Sequence, residues 1–267
     1  MNKQKIKRIL ASFWPKDLAE RSVVIYYHSV NPNHPLGMHP TLFREHMNWL
    51  KSNCQIIRLS EIKTSKAMKA NGKPTVSITF DDGYEDNYEF AFPILEELEI
   101  PATIFFAPKY AGLVPPDIAN VYRGLRFFGW EQAREMAKPV ISIQSHSFSH
   151  CNLGEVPLRQ AEEELRVSKT LIEEKLYQEV FAFAYPWGQK GYISESVSEV
   201  AIRLGYRMGF TTIWGKVTDR NNSMLLPRIE ISSTDTLEVL KAKISGKYDF
   251  LKFAHKIRKP LIGRTRL

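Results

Sequence analysis

The 267-residue sequence has no apolar run approaching the ~18 residues of a membrane span, and it has only two cysteines, Cys54 and Cys151. It also lacks any repeat of fixed period and any low-complexity tract. These absences exclude a helical membrane protein, a disulfide-stapled domain and a solenoid. A secretory leader is expected to be absent as well. Lys3, Lys5, Lys7 and Arg8 open the chain as a leader would, but the apolar stretch at residues 9–14 falls short of a leader core and Pro15-Lys16-Asp17 ends it. What is present is an ordinary globular composition, 43% hydrophobic and 25% charged. Net charge is +8, unevenly placed: residues 1–21 carry six Lys/Arg against Asp17 and Glu20, and residues 241–267 carry nine against Asp249 alone. The body between them is therefore acidic. This suggests a basic segment at 1–21, a domain at 22–245 and a basic tail at 246–267. The expected setting is cytoplasmic, with the ends either solvated or held to anionic lipid at an inner membrane face, where Ile6, Ile9, Leu10 and Phe13 would share an apolar helix side. No nucleic-acid-binding module accompanies the charge.

Short apolar runs alternate with helical patterns along the chain. Strands are predicted over residues 23–27, 75–80, 103–106, 140–143, 180–184, 206–211 and 225–231. Helices are predicted through Phe43, Met47 and Leu50, and over 90–98, 130–137, 158–176 and 234–244. Such alternation implies one α/β domain with a parallel sheet, open or closed into a barrel, whose active groups collect at the C-terminal strand ends. Polar clusters fall at four such ends: His28, Asp81-Asp82, His146, and Tyr185-Pro186-Trp187.

In Thr79-Phe80-Asp81-Asp82-Gly83, two adjacent carboxylates on extended backbone face opposite ways, so one can ligate a metal while the other stays free as a base. Gly83 permits a sharp turn that brings both into a cleft. Alone, Asp-Asp-Gly is more often an ordinary surface turn. In His146-Ser147-Phe148-Ser149-His150 the histidines stand at i and i+4, where one helical turn would present both imidazoles to one ion; a polar turn with two surface histidines is the plainer alternative. Two histidines and a carboxylate suit Zn²⁺, and also Fe²⁺, Co²⁺ or Ni²⁺. His34, His39 and His46 read as loop or helix-surface residues, and Cys151 as a free thiol or an adventitious ligand.

Thr-Phe-Asp-Asp followed by His-Ser-x-x-His resembles the polysaccharide deacetylase family, carbohydrate esterase family 4, over residues 23–231. The resemblance implies a distorted (β/α) barrel of about seven strands. It also implies Asp81 as catalytic base, and Asp82, His146 and His150 as ligands of one divalent metal. Tyr185-Pro186-Trp187-Gly188 looks like the family's third motif, which lines the groove and lends a backbone N–H to the oxyanion. Two departures stand out. The arginine that commonly steadies the base is replaced by Ala184, for which Arg228 in Leu226-Pro227-Arg228-Ile229 is the candidate substitute; a strand-edge surface arginine is the alternative. The late Leu-x-His motif is missing, and His255 lies in the basic tail. Tyr26-Tyr27-His28 is instead similar to an early motif of the branch that includes poly-N-acetylglucosamine deacetylases, which implies His28 as the general acid. The expected reaction is removal of N-acetyl groups from an N-acetylglucosamine-type glycan. A catalytically silent glycan-binding domain and an ester or N-formyl hydrolase are the rivals. A phosphoesterase lacks support, because there is no Gly-rich phosphate cradle.

Overall fold

A computed structural model describes residues 21–63, 72–115, 124–137 and 140–254. The predicted amphipathic segment at 6–13, most of both basic ends and His255 lie outside the described residues.

Among these residues eight strands run in parallel: β1 (Ser22–Tyr27), β2 (Gln55–Ile56), β3 (Thr75–Phe80), β4 (Ala102–Phe106), β5 (Ile141–Ser145), β6 (Ala182–Ala184), β7 (Met208–Trp214) and β8 (Leu226–Glu230). Seven close into a ring in the order β1-β3-β4-β5-β6-β7-β8, because β1 pairs with β3 on one side and with β8 on the other. The two-residue β2 sits beside the start of β3, below the point where β4 takes over that edge. The helices are α1 (Pro40–Asn53), α2 (Phe92–Glu97), α3 (Trp130–Met136), α4 (Leu158–Leu176), α5 (Glu195–Arg203), α6 (Leu237–Ile244) and α7 (Leu251–Ala254). The expected single-domain barrel of about seven strands is therefore present.

Strand alternation sorts side chains into two cores. Val23, Ile25 and Tyr27 of β1, Val76, Ile78 and Phe80 of β3, and Ile141 and Ile143 of β5 pack outward against the helices. Val24, Phe105, Ala182, Ala184, Phe210 and Leu226 form a smaller inner cluster that fills the barrel. Continuing the inward register past each strand's end reaches His28 after Tyr26, Asp81 after Thr79, His146 after Gln144, and Glu230 after Arg228.

Three expectations change. His46 is fully buried, its Nδ1 3.3 Å from the Tyr27 hydroxyl, because it shares the α1 face of Phe43, Met47 and Leu50. Burial pushes its imidazole down to about 4. The packed body also extends past 22–245. Arg21 is fully buried and grips Asp249 through two 2.7 Å bonds, Trp214 Nε1 donates to the same carboxylate, and Tyr248 and Leu251 are buried. The segment expected as a helix over 90–98 begins with a π turn at Asn87–Ala91 before α2.

Candidate active site

The ladder between β1 and β3 continues one residue beyond the strands, with Asp81 N–H donating to the Tyr27 carbonyl at 3.0 Å. The chain then turns. Asp82 itself takes a left-handed φ of 73°, and Gly83 follows at 87°. A Cβ on Gly83 would lie 2.5 Å from the Phe106 ring, so only glycine fits beneath the Asp pair. The reversal swings Asp82 to the same mouth as Asp81, and both are almost wholly buried.

Their partners differ. Arg228, fully buried inside the barrel, donates to Asp81 Oδ1 at 2.6 Å and Oδ2 at 2.7 Å, and through Nε to the Thr211 carbonyl at 3.0 Å. Its guanidinium lies 4.4 Å from the Tyr26 ring centre and 5.4 Å from that of Phe105. Arg228 is thus an interior residue, not a strand-edge surface one, and it reaches Asp81 from β8 in a barrel where β6 presents only Ala184. Burial alone would raise Asp81, but the Arg228 charge overrides it and holds the carboxyl below its ordinary range.

Asp82 Oδ1 lies 3.4 Å from His146 Nε2 and 3.0 Å from His150 Nε2. Burial again pushes upward, and the adjacent imidazoles, His150 first, bring this carboxyl well below its usual range. One donor atom from each of the three lies within 4.8 Å of the others. His146 Nδ1 is 2.9 Å from the Ala184 carbonyl, an N–H donation that leaves the Nε2 lone pair facing Asp82. Two imidazole nitrogens and one carboxylate oxygen, converging with the tautomer fixed from behind, fit a divalent transition ion.

The histidines do not share a helical turn. Residues 146–150 form a loop in which Ser147 (φ 57°) and His150 (φ 56°) are both left-handed. Four of the six non-glycine residues with positive φ among those described are Asp82, Ser147, His150 and Trp187, so backbone strain gathers at this mouth. Glu164, on α4, holds the loop from below, accepting from Ser149 N–H at 2.7 Å and Ser149 Oγ at 2.6 Å. Cys151 stands outside the three-residue cluster, and burial pushes its thiol up to about 12.

His28 stands over Tyr26, their ring centres 5.6 Å apart, at the end of the strand beside Asp81 and Asp82. Asn87 Nδ2 donates to the His28 carbonyl at 2.8 Å, while buried Asp86 accepts from Ser29 Oγ at 2.6 Å and from Val30 N–H at 3.3 Å. These bonds fix the loop that carries His28.

Tyr185 is fully buried, and its polar groups are already engaged. Its N–H donates to the Phe210 carbonyl at 2.9 Å, and its buried hydroxyl meets Ser198 Oγ at 2.9 Å. Pro186 has no N–H. Trp187 N–H has no hydrogen-bond partner among the described residues, while the Trp187 carbonyl accepts from Thr212 Oγ1 at 2.9 Å. The Trp187 ring is 45% exposed and lies edge-on to His150 at 5.8 Å. Glu164, Asp86 and Asn87 were missed in the sequence: each is an acid or amide on a helix or turn that only tertiary contact distinguishes from its neighbours.

A polysaccharide deacetylase family profile matches residues 68–209. YxkH of Bacillus subtilis (strain 168), a protein named for the same family, is 32% identical over 212 residues, covering 78% of this chain and 71% of YxkH. The poly-beta-1,6-N-acetyl-D-glucosamine N-deacetylase of Staphylococcus aureus (strain MRSA252) is 27% identical over 217 residues, with the same coverages. Among solved structures, the Streptococcus pyogenes deacetylase PplD in complex with acetate superposes with a TM-score of 0.72 at 25% identity, covering 85% of this chain and 99% of that one. IcaB from Ammonifex degensii shares the fold, with a TM-score of 0.72 at 22% identity, covering 85% of this chain and 98% of IcaB. With a profile spanning more than half of its length and a 32% identical relative, the chain belongs to the polysaccharide deacetylase family.

Proposed function

We propose that this protein is a metal-dependent deacetylase that removes N-acetyl groups from N-acetylglucosamine units of a glycan. One observation carries the reading: Asp82, His146 and His150 bring three donor atoms within 4.8 Å of one another, beside an Asp81 that is held separately by Arg228. The Staphylococcus aureus relative's named substrate supports the choice of sugar.

Asp82, His146 and His150 would hold the ion, most naturally zinc, with cobalt, nickel or iron also matching the donors. Such an ion polarises an amide carbonyl and lowers the pKa of an attacking water. Asp81 is the base. Arg228 occupies one lone-pair direction on each of its oxygens, keeps it ionised and aims a remaining lone pair at the mouth. As the water oxygen bonds to the acetyl carbon, its proton passes to Asp81. Negative charge then grows on the carbonyl oxygen, and the Trp187 N–H is the backbone donor available for it. Breaking the C–N bond needs a proton on the departing nitrogen, and His28, at the end of the neighbouring strand β1, supplies it. The products are acetate and a free sugar amine. Burial of Asp81, Asp82 and His146 keeps bulk water from screening these charges.

The test is amine release from N-acetylglucosamine oligomers by purified protein, before and after chelator treatment and divalent-ion add-back. The expected result is activity that chelation removes and the ion restores. No amine release from oligomers of any linkage, with any of the four ions, would contradict the proposal.

A further inference from the structure

Glu230 ends β8 on the same inward register as Arg228, one pleat nearer the mouth, and its Cα pairs across the sheet with Tyr26, two residues before His28. It therefore occupies a rim position like those of His28, Asp81 and His146, yet the chemistry above has no use for it. Its side chain is exposed, and its carboxylate has no cationic partner among the described residues. Lys243, the cation beneath it, is committed elsewhere: its Nζ donates to the Glu230 backbone carbonyl at 2.6 Å and forms an ion pair with buried Asp235. Asp235 in turn accepts from Ser232 N–H at 2.9 Å and so fixes the turn after β8. That turn and the loop after β1 enclose a cavity of about 150 Å³, lined by His28, Leu36, Met38, Glu230, Ser232 and Ser233 among others. At ~30 Å³ per water, it has room for about five waters or part of a sugar ring.

A half-polar cavity that shares His28 with the reaction centre and carries a carboxylate bonded to no cationic side chain suits a cationic, hydroxyl-rich guest. The proposed reaction makes such a guest. Each deacetylated unit presents an ammonium group, whereas an acetylated unit presents a neutral amide. We infer that Glu230 and this cavity form a binding subsite for an already deacetylated glucosamine unit flanking the acetylated one under attack. The inference rests on the deacetylase reading and deepens it: each product unit favours binding of its neighbour, so glucosamines accumulate in blocks.

The experiment compares kcat/KM for a fully acetylated N-acetylglucosamine tetramer with that for the same tetramer carrying one glucosamine next to an acetylated unit, in whichever linkage the wild type turns over. A solvent-facing ion pair predicts a preference of about two- to fivefold for the mixed tetramer. Raising salt should diminish it in the unaltered chain. In Glu230→Gln the ratio should fall to about one; a ratio taken within one variant is insensitive to its folded fraction, and the salt series needs no variant at all. Wild-type turnover with no preference, a preference indifferent to salt, or a preference kept by Glu230→Gln would each overturn the inference while leaving the deacetylase reading intact. No turnover of either tetramer would overturn both.

Discussion

Asp81 and Asp82 are the same side chain at adjacent positions, and their surroundings give them different partners. Arg228 takes both oxygens of Asp81, while two imidazoles face one oxygen of Asp82. The Arg228–Asp81 pair is buried on both sides, so losing one partner leaves a charge with neither water nor a counter-ion. Arg228→Met is expected to destabilise the fold by about 3–5 kcal/mol, with most of that recovered in Arg228→Met/Asp81→Asn, where the stranded charge is gone. Urea unfolding at pH 7 measures the cycle; equal costs of Arg228→Met in both backgrounds would show the pair to be uncoupled. Arg228 was legible in the sequence only through a vacancy, the alanine at 184. The commitment of the Tyr185 N–H to Phe210 was not legible, because it depends on how far the β6–β7 ladder extends past Ala184.

At the scale of elements, the loop at 146–150 shows where spacing misleads. A separation of four suggested a helical turn, yet left-handed Ser147 and His150 bring the rings together instead, with centres 4.8 Å apart. Glu162, Glu163 and Glu164 look alike as the acidic start of a helix. Of the three, Glu164 alone is buried, and it holds Ser149. The burial of His46 is legible in the spacing, since position 46 shares the helical face of 43, 47 and 50. Glu164→Ala removes both acceptors and frees the loop that carries His150. Metal affinity is expected to fall about 10–100-fold, the usual cost of losing an outer support, measured by competition with a chromogenic chelator. Unchanged affinity would mean the loop holds its shape without α4.

For the whole molecule, strand–helix alternation indicated the parallel barrel, but not its closure, which rests on β1 pairing with both β3 and β8. Two buried groups away from the Asp-His cluster contribute opposite pH slopes between about pH 4 and 6.5. Burial raises Asp86 to about 6, so the folded chain keeps a proton that the unfolded chain releases from about pH 4 upward. Its stabilising contribution is present at low pH and is lost as pH rises through 6. His46, lowered to about 4, works the other way: its contribution is present above about 6.5 and is lost as pH falls toward 4. The two slopes oppose one another. Asp86→Asn removes the first, so its urea midpoint should drop more steeply than wild type between pH 6.5 and 4.5. Parallel curves would contradict this assignment.

On the proposed function, Asp82, His146 and His150 together hold one divalent ion beside a base that does not ligate it. Metal content of purified protein after zinc loading and desalting tests it most directly. One equivalent in the wild type and in Asp81→Asn, with little in Asp82→Ala, is the predicted result. Equal metal in Asp82→Ala and wild type, or none in either, would contradict it.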